Sequence, residues 1–219
     1  PAETFHEAVN SLWICQVCVF AENSNMAINP GRIDQILYPY FIKEYESGKL
    51  SIEDALNISG SLWFKLADNV NLVPQAAEKL FGGAGAVPAV TLGGVDKDGK
   101  NAVNELTYVF LKVTELLPIR DPNVNARYHM TENSIDYRNE VSRVILTNKA
   151  IPAFFNDIEN IDTLVKQGET PEHARDYAVI GCVELGSAGR DYSASSSIFM
   201  MMYTILYMAL HNGRTTVTG

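Results

Sequence analysis

One cysteine stands two residues before a carboxylate in the tetrapeptide Gly181-Cys-Val-Glu184. The short apolar run at 176–181 predicts a buried strand that turns abruptly at its glycine, and the Gly- and Ser-rich residues 185–190 predict a loop. Residues two apart on an extended chain point the same way, so we expect Cys182 and Glu184 to share one face at a strand end, where α/β proteins bind ligands. Thiolate catalysis uses a base beside the cysteine, and no histidine pairs with Cys182 in the sequence. A buried thiol with Glu184 nearby by accident is the alternative, and the residues alone leave both open.

The composition is that of an ordinary soluble globular protein, with 47% hydrophobic and 20% charged residues among 219. No apolar run reaches membrane-spanning length and there is no secretory signal, so we expect no membrane association. The net charge is −9 and the 17 basic residues are scattered, which argues against a nucleic-acid surface. Three cysteines without a signal peptide indicate reduced thiols in the cytoplasm. The chain begins without Met and ends directly after a helical segment, so we expect it to be part of a longer protein.

Predicted strands and helices alternate along the chain, which favours a single α/β domain, layered or barrel-shaped. Strands are predicted at 89–94, 126–129, 151–156 and 176–181, and helices at 4–20, 51–70, 102–116, 132–148 and 197–212. Ser51 and Asp54 have capping-box spacing, and Thr170 followed by Pro171 predicts the start of a further short helix. The last helix is apolar on nearly every face and is predicted to be buried. Cys15 and Cys18 lie one turn apart in the first helix, and we expect them to pack in the core, because no second ligand pair follows at zinc spacing.

Three further patterns suggest binding sites but fail at required positions. The glycines at 82–85 are followed by Ala86-Val-Pro rather than by the Gly-Lys-Ser/Thr of a phosphate loop, so a tight turn is predicted. The acidic turn at 96–99 lacks the glycine and the closing glutamate of a calcium loop. The four histidines have no metal spacing, so no metal site is predicted. His129 is the first of them to consider for a site role, because it ends a predicted strand.

The tetrapeptide at 181–184 resembles the thiyl-radical motif of the glycyl radical enzymes, the pyruvate formate-lyase-like superfamily. Further segments resemble blocks of that family in the same order, so that the resemblance spans essentially all 219 residues. These blocks are Ala2-Glu-Thr-Phe-His-Glu-Ala, Pro30-Gly-Arg-Ile-Asp-Gln-Ile-Leu-Tyr-Pro39, Val90-Thr-Leu-Gly-Gly-Val95, Asn104-Glu-Leu-Thr-Tyr108, Ala126-Arg-Tyr-His129 and Pro152-Ala-Phe-Phe-Asn-Asp157.

The resemblance implies that residues 1–219 are the central portion of a catalytic ten-stranded α/β barrel. Within such a barrel a hairpin carries the cysteine toward a glycine loop of the C-terminal domain. No block resembling the Arg-Val-Ser-Gly-Tyr of that loop occurs here, so the glycine radical domain is absent from this sequence. The resemblance implies no bound cofactor in this segment; a partner radical S-adenosylmethionine activase would install the glycyl radical on the missing domain. A small-molecule substrate and a homodimer are also expected.

Within the family, pyruvate formate-lyase itself uses two adjacent cysteines, whereas Gly181 precedes Cys182 here. The Cys-x-Glu arrangement resembles the eliminating branch of dehydratases and lyases. The resemblance implies that Cys182 abstracts hydrogen from the substrate as a thiyl radical and that Glu184 is the general base. The alternatives are a formate C-acetyltransferase-like enzyme, another enzyme that forms or breaks C–C bonds, or an inactive fragment or half of a split enzyme.

Several positions depart from the diol dehydratases of this family. Those relatives carry a His-Ser pair where this chain has Met26 and Ala27, and an aspartate where it has Ser196. These three positions and His129 are the candidate substrate-binding residues, and the losses point away from glycerol or propanediol toward a less polar or differently anchored substrate. Two further pairs are left open. Arg32 and Asp34 could bind substrate or form a structural ion pair, and the adjacent residues 156 and 157 could bind substrate or close a strand.

Overall fold

The computed structural model describes residues 1–22, 28–68, 88–149, 151–190 and 202–214. Helices and strands alternate in it, as the sequence predicts for an α/β protein. In chain order the elements are α1 Phe5–Glu22, α2 Ile33–Ile36, α3 Tyr38–Glu46, α4 Ile52–Ala67, β1 Ala89–Gly93, α5 Glu105–Leu116, β2 Asn123–Tyr128, α6 Ile135–Asn148, β3 Ala153–Asn156, α7 Asp157–Lys166, α8 Pro171–Arg175, β4 Tyr177–Ile180, β5 Glu184–Ser187 and α9 Met202–Leu210.

The first three strands form a parallel sheet in the order β1-β2-β3, and α5 and α6 are the crossover helices between them. All five residues of β1 are buried, as expected for a parallel strand that is covered on both faces. One face of the sheet is apolar: Val90, Leu92, Val124 and Ala126 join the main hydrophobic core, which the helices complete.

The opposite face of the sheet is polar and carries a hairpin. Asn123, Asn125 and Arg127 alternate along β2 and therefore point to this face, and Thr91 is the register partner of Asn125 on β1. The hairpin consists of β4 and β5, paired antiparallel so that Ile180 lies opposite Glu184. Because polar side chains meet the hairpin, its position depends on directed hydrogen bonds as well as on apolar packing.

Capping residues set several helix ends where the sequence predicts them. Ser51 and Asp54 form a reciprocal capping box at the start of α4, with the Asp54 amide donating to the Ser51 hydroxyl at 3.0 Å. Thr170 caps α8, and Pro171 occupies its first position. The helix predicted from 102 begins instead at Glu105, because the Asn104 side chain caps it.

Residues 185–190, predicted to be a loop, are in part a strand, so that prediction is wrong. β5 lacks strand periodicity in its own sequence, since it contains Gly186 and Ser187. It is a strand because its backbone pairs with β4, a tertiary contact that local propensity does not report.

Two predictions of burial are also wrong. None of the described side chains of α9 is buried, and Tyr203 is 78% exposed. An apolar helix indicates that it needs a covering partner, and no such partner lies among the described residues. Cys15 and Cys18 are exposed, because α1 turns the face with Phe5 and Val9 toward the core instead. Within the described part of the chain, no helix is long and apolar enough to cross a membrane.

Candidate active site

The turn of the hairpin holds the cysteine. Residues 181–183 form this turn, and Gly181 has φ of +59°, a left-handed conformation that a glycine adopts without strain. Cys182 is a free, exposed thiol, and Glu184 is the exposed first residue of β5. Their spacing predicted that the two side chains would extend from one straight strand. That prediction is wrong, because Cys182 lies in the turn and Glu184 lies in β5. The Glu184 carboxylate instead accepts a hydrogen bond from the Val183 amide at 3.2 Å.

Asn123, a residue of the sheet, hydrogen-bonds to the backbone of this turn. The Asn123 amide nitrogen donates to the carbonyl oxygens of Gly181 and Cys182, at 2.9 and 3.1 Å. Asn123 begins β2, so the thiol lies near the amino-terminal end of that parallel strand. The sequence suggested a site at a strand end. The cysteine does follow the carboxyl end of a strand, β4. It lies at the amino end of the parallel sheet, however, because β4 runs in the direction opposite to β2.

The start of the hairpin is fixed by a buried ion pair. Arg127 and Asp157 are fully buried, and the Arg127 guanidinium donates to both carboxylate oxygens of Asp157 at 2.9 Å. Arg127 also donates to the carbonyl oxygens of Tyr177 and Arg175, both at 2.8 Å. The Tyr177 hydroxyl donates to Asp157 at 2.7 Å. Burial lowers the pKa of Arg127, but Asp157 and Tyr177 together more than offset that effect, so the pKa is raised and the guanidinium stays charged.

The contacts of Asn156 and Asp157 answer a question that the sequence left open, namely whether these two residues bind substrate or close a strand. The Asp157 carboxylate accepts from Arg127, Tyr177 and the Val95 amide, so both oxygens are occupied inside the fold. The Asn156 side chain caps α7 by accepting from the Ile158 amide at 3.2 Å. Both residues therefore have structural roles in the described chain.

Arg32 and Asp34 are buried but do not bind each other. Arg32 donates to the Asp176 carboxylate at 2.6 Å, just before the hairpin. Asp34 accepts from the Gly93 amide and from the Thr107 hydroxyl, both at 2.7 Å. Burial raises the pKa of Asp34, and Arg32 and these hydrogen bonds oppose that effect. Arg32 also donates to the Gly93 carbonyl oxygen at 3.2 Å, so both residues bind Gly93 at the carboxyl end of β1.

The structure does not bring His129 to the cysteine. His129 follows the last residue of β2, whereas Asn123, which touches the cysteine turn, is the first. The imidazole Nδ1 lies 3.1 Å from the Thr131 hydroxyl within its own loop. Met26, Ala27 and Ser196 lie outside the described residues. Among the described residues, no group of three or more His, Cys, Asp or Glu side chains could hold a metal ion.

Comparison with known proteins identifies the family. The family model described as pyruvate formate lyase-like matches residues 1–219. The chain belongs to this family. It is 34% identical over its whole length to the isethionate sulfite-lyase of Nitratidesulfovibrio vulgaris, of which it covers 27%. It is 30% identical, over 99% of its length, to the (2S)-3-sulfopropanediol dehydratase of Klebsiella oxytoca, of which it covers 26%.

Solved structures agree with the sequence comparison. The chain superimposes with a TM-score of 0.89 and 31% identity on a structure described by 1,2-propanediol dehydration in Roseburia inulinivorans, over 99% of this chain and 27% of that one. A glycyl radical enzyme from Archaeoglobus fulgidus gives a TM-score of 0.83 and 35% identity, over 90% of this chain and 25% of that one. The chain thus spans about a quarter of the length of its relatives.

The sequence patterns did not identify the two residues of this pyruvate formate lyase-like chain that bind the hairpin, Asn123 and Arg127. A signal for them exists, because polar residues at 123, 125 and 127 alternate with Val124 and Ala126. This period-two pattern indicates a strand with one polar face. The predicted strand began at 126, three residues after the observed start of β2, and so lost the pattern.

Proposed function

We propose that this chain is part of a glycyl radical lyase of the dehydratase type that acts on a small organic substrate. The observation that carries the proposal is the hairpin β4–β5, which presents the exposed Cys182 thiol at a turn whose backbone is tied to the sheet. Membership of the pyruvate formate lyase-like family supports it, as do the lyases and dehydratases among the similar proteins.

The parallel sheet and its hairpin would form part of the ten-stranded α/β barrel of the family. In that arrangement residues 1–219 are a central portion, and the polar face of the sheet with its hairpin looks into the barrel. The glycine radical domain would lie in another part of the protein, where a radical S-adenosylmethionine activase generates the radical. We further propose that the protein is a cytoplasmic homodimer. The cell would be anaerobic, because oxygen destroys a protein-based carbon radical.

The proposed chemistry assigns one role to each site residue. Cys182 gives its thiol hydrogen to the glycyl radical and takes a hydrogen atom from the substrate carbon that bears a hydroxyl. Glu184 accepts the hydroxyl proton, and the leaving group departs from the neighbouring carbon with its bonding electrons. Cys182 then returns a hydrogen atom to the product radical and recovers its own from the glycine. An accessible thiol on a fixed turn fits this exchange, since it must meet two partners in succession.

The substrate would carry a hydroxyl and a neighbouring leaving group. Met26, Ala27 and Ser196 remain the proposed substrate-contacting positions, and they favour a compound that is less polar or anchored differently from glycerol. His129 is not among them, because it follows the end of β2 opposite to the one that meets the cysteine turn. The names of similar proteins suggest a first panel: isethionate, (2S)-3-sulfopropanediol, 1,2-propanediol and trans-4-hydroxy-L-proline.

Two variants of the complete enzyme, activated anaerobically, test the proposal. Cys182→Ser should still acquire the glycyl radical but turn over no substrate, because the stronger O–H bond of serine makes it a poor hydrogen relay. Glu184→Gln keeps shape and hydrogen bonding but loses the base, so hydrogen abstraction should persist while elimination collapses, by about 10²-fold or more. Electron paramagnetic resonance and product analysis measure both effects.

Cys15→Ser is the matched control, because Cys15 is also an exposed free cysteine but lies in α1. It should turn over substrate at the wild-type rate. Substantial turnover by Cys182→Ser would refute the radical role. Formation of acetyl-coenzyme A and formate from pyruvate would instead favour the formate acetyltransferase alternative. Absence of a radical in every variant would favour an inactive protein or a split enzyme that lacks its second chain.

A further inference from the structure

The turn that carries the cysteine is held by one side chain from a distant part of the sequence. Asn123 has two amide hydrogens, and its nitrogen lies 2.9 Å from the Gly181 carbonyl oxygen and 3.1 Å from that of Cys182. These two carbonyls precede and follow the Cα of Cys182, so binding both of them fixes the backbone that directs the Cys182 side chain. We propose that Asn123 is a positioning residue that holds the Cys182 thiol in place for hydrogen transfer, an inference that rests on the proposed function.

Neighbouring side chains on the same face of the sheet support Asn123, which we call the clamp because it binds the turn. The fully buried Asn125 donates from its amide nitrogen to the Asn123 carbonyl oxygen at 3.0 Å. Its register partner Thr91, also fully buried, accepts the Val179 amide hydrogen at 2.9 Å. The hairpin is therefore bound midway by Thr91 and at its turn by Asn123, and the backbone of the clamping residue is itself bound.

Among the described residues, apolar packing does not hold this turn. Cys182, Val183 and Glu184 are all exposed, and Val183 is 64% exposed. The smaller core beneath the hairpin is built from residues nearer its start, including Tyr177 and Val179. Since a misplacement of about 1 Å at a reacting group can slow a reaction by about 10²-fold, directed hydrogen bonds at this turn would set the reaction rate.

The test uses the complete enzyme and the variant Asn123→Ala. We expect kcat to fall by about 10- to 100-fold while KM changes by less than about 2-fold, because substrate contacts are retained and only the thiol is misplaced. The glycyl radical signal after activation should match that of the wild type. In the protein before activation, the rate at which iodoacetamide alkylates Cys182 should change several-fold, since a freed turn alters access to the thiol.

Asn148→Ala is the matched control. The Asn148 amide nitrogen also donates to a distant backbone carbonyl, that of Thr114 at 2.7 Å, but it lies at the end of α6. It should lower thermal stability to a similar extent and leave kcat and the alkylation rate unchanged. Asn123→Asp keeps the size of the side chain but faces both carbonyls with acceptor oxygens, so it provides a second variant with the same expected loss of kcat.

The outcomes separate this inference from the proposed function. If Cys182→Ser is inactive and either Asn123 variant keeps wild-type kcat, the clamp is refuted and the proposed function stands. If Asn148→Ala loses as much kcat as Asn123→Ala, the effect is one of general stability and the clamp is refuted. If Cys182→Ser is active, the proposed function fails, and an unchanged alkylation rate in Asn123→Ala would then refute the clamp independently.

Discussion

The start and the turn of one hairpin are held in opposite ways. At the start, Arg127, Asp157 and Tyr177 are fully buried, and the charged groups satisfy one another. At the turn, the residues around Cys182 are exposed, and Asn123 alone of the described side chains outside the hairpin is seen to bind their backbone. Among the described residues, the hairpin is therefore buried and ion-paired at its start and exposed at its turn.

A buried charge pair suits the start of the hairpin because it is sensitive to geometry. Removing two charges from water costs several kcal/mol per ion, and only well-placed hydrogen bonds recover it. Each Asp157 oxygen here has two partners, among them the Val95 amide at 2.9 Å, which belongs to the segment after β1. The pair thus joins the sheet, α7 and the hairpin at one point.

The largest effect on stability is expected from Arg127→Met. The substitution keeps much of the side-chain volume but leaves the Asp157 carboxylate buried without its cation, which should lower the free energy of unfolding by about 3–5 kcal/mol. Urea denaturation of the complete protein measures the change. Arg143→Met, at an exposed ion pair with Glu115, is the control and should have a far smaller effect. Equal losses in the two variants would contradict a special role for the hairpin start.

An intermediate effect is expected from Tyr177→Phe. The change removes a hydroxyl that donates to Asp157 at 2.7 Å but keeps the ring, whose centroid lies 3.9 Å from the Arg127 guanidinium carbon. Loss of a hydrogen bond to a charged group should cost about 1.5–3 kcal/mol, by the same measurement. Tyr45→Phe is the control, because Tyr45 is 39% exposed and stacks on Phe41. A loss no greater than that of the control would show that the hydroxyl is dispensable.

The smallest effect is expected from Glu115→Gln, where the same arginine–carboxylate chemistry occurs at the surface. Hydrogen bonds from Arg143 and then Lys112 lower the pKa of Glu115 to about 2 from its ordinary value of 4.5. The stabilisation is therefore present above about pH 4.5 and is lost as the pH falls toward 2. With solvent screening it should be at most about 0.5 kcal/mol. Thermal unfolding at neutral and acid pH should show the wild-type advantage narrowing with acid, and an advantage that grows would contradict the assignment.

Local signals predicted much of the frame that carries the site. The continuous apolar run of β1, the capping pair at Ser51 and the Thr170-Pro171 helix start all act within a few residues of chain. Each is confirmed because its physical cause is written in adjacent residues. The tetrapeptide with Cys182 was likewise visible in the sequence, and the resemblance built on it agrees with the family that the comparison identifies.

The remainder depends on contacts between distant residues. Arg127 and Asp157 are 30 positions apart, and Asn123 meets Cys182 across 59. The residues around Arg127 do not indicate that Asp157 is its partner, and those around Asn123 do not indicate the cysteine turn. The structural roles of Arg127 and Asn123 were therefore not predicted. The strand β5 was not predicted for the same reason, since it is pairing with β4 that makes these residues a strand despite Gly186. The exposed α9 shows the converse, because an apolar helix reveals a need for cover but not what supplies it.

The buried ion pair also has a mechanical consequence. A four-residue strand such as β4 is an arm roughly 13 Å long, at about 3.3 Å per residue. A tilt of only about 4° where Arg127 grips the base of such an arm would swing its far end by about 1 Å, a displacement of the size that impairs catalysis. The arm acts as a lever that magnifies angular error. The direction of the Cys182 side chain therefore depends on the ion pair at the start of the hairpin as well as on Asn123 at the turn.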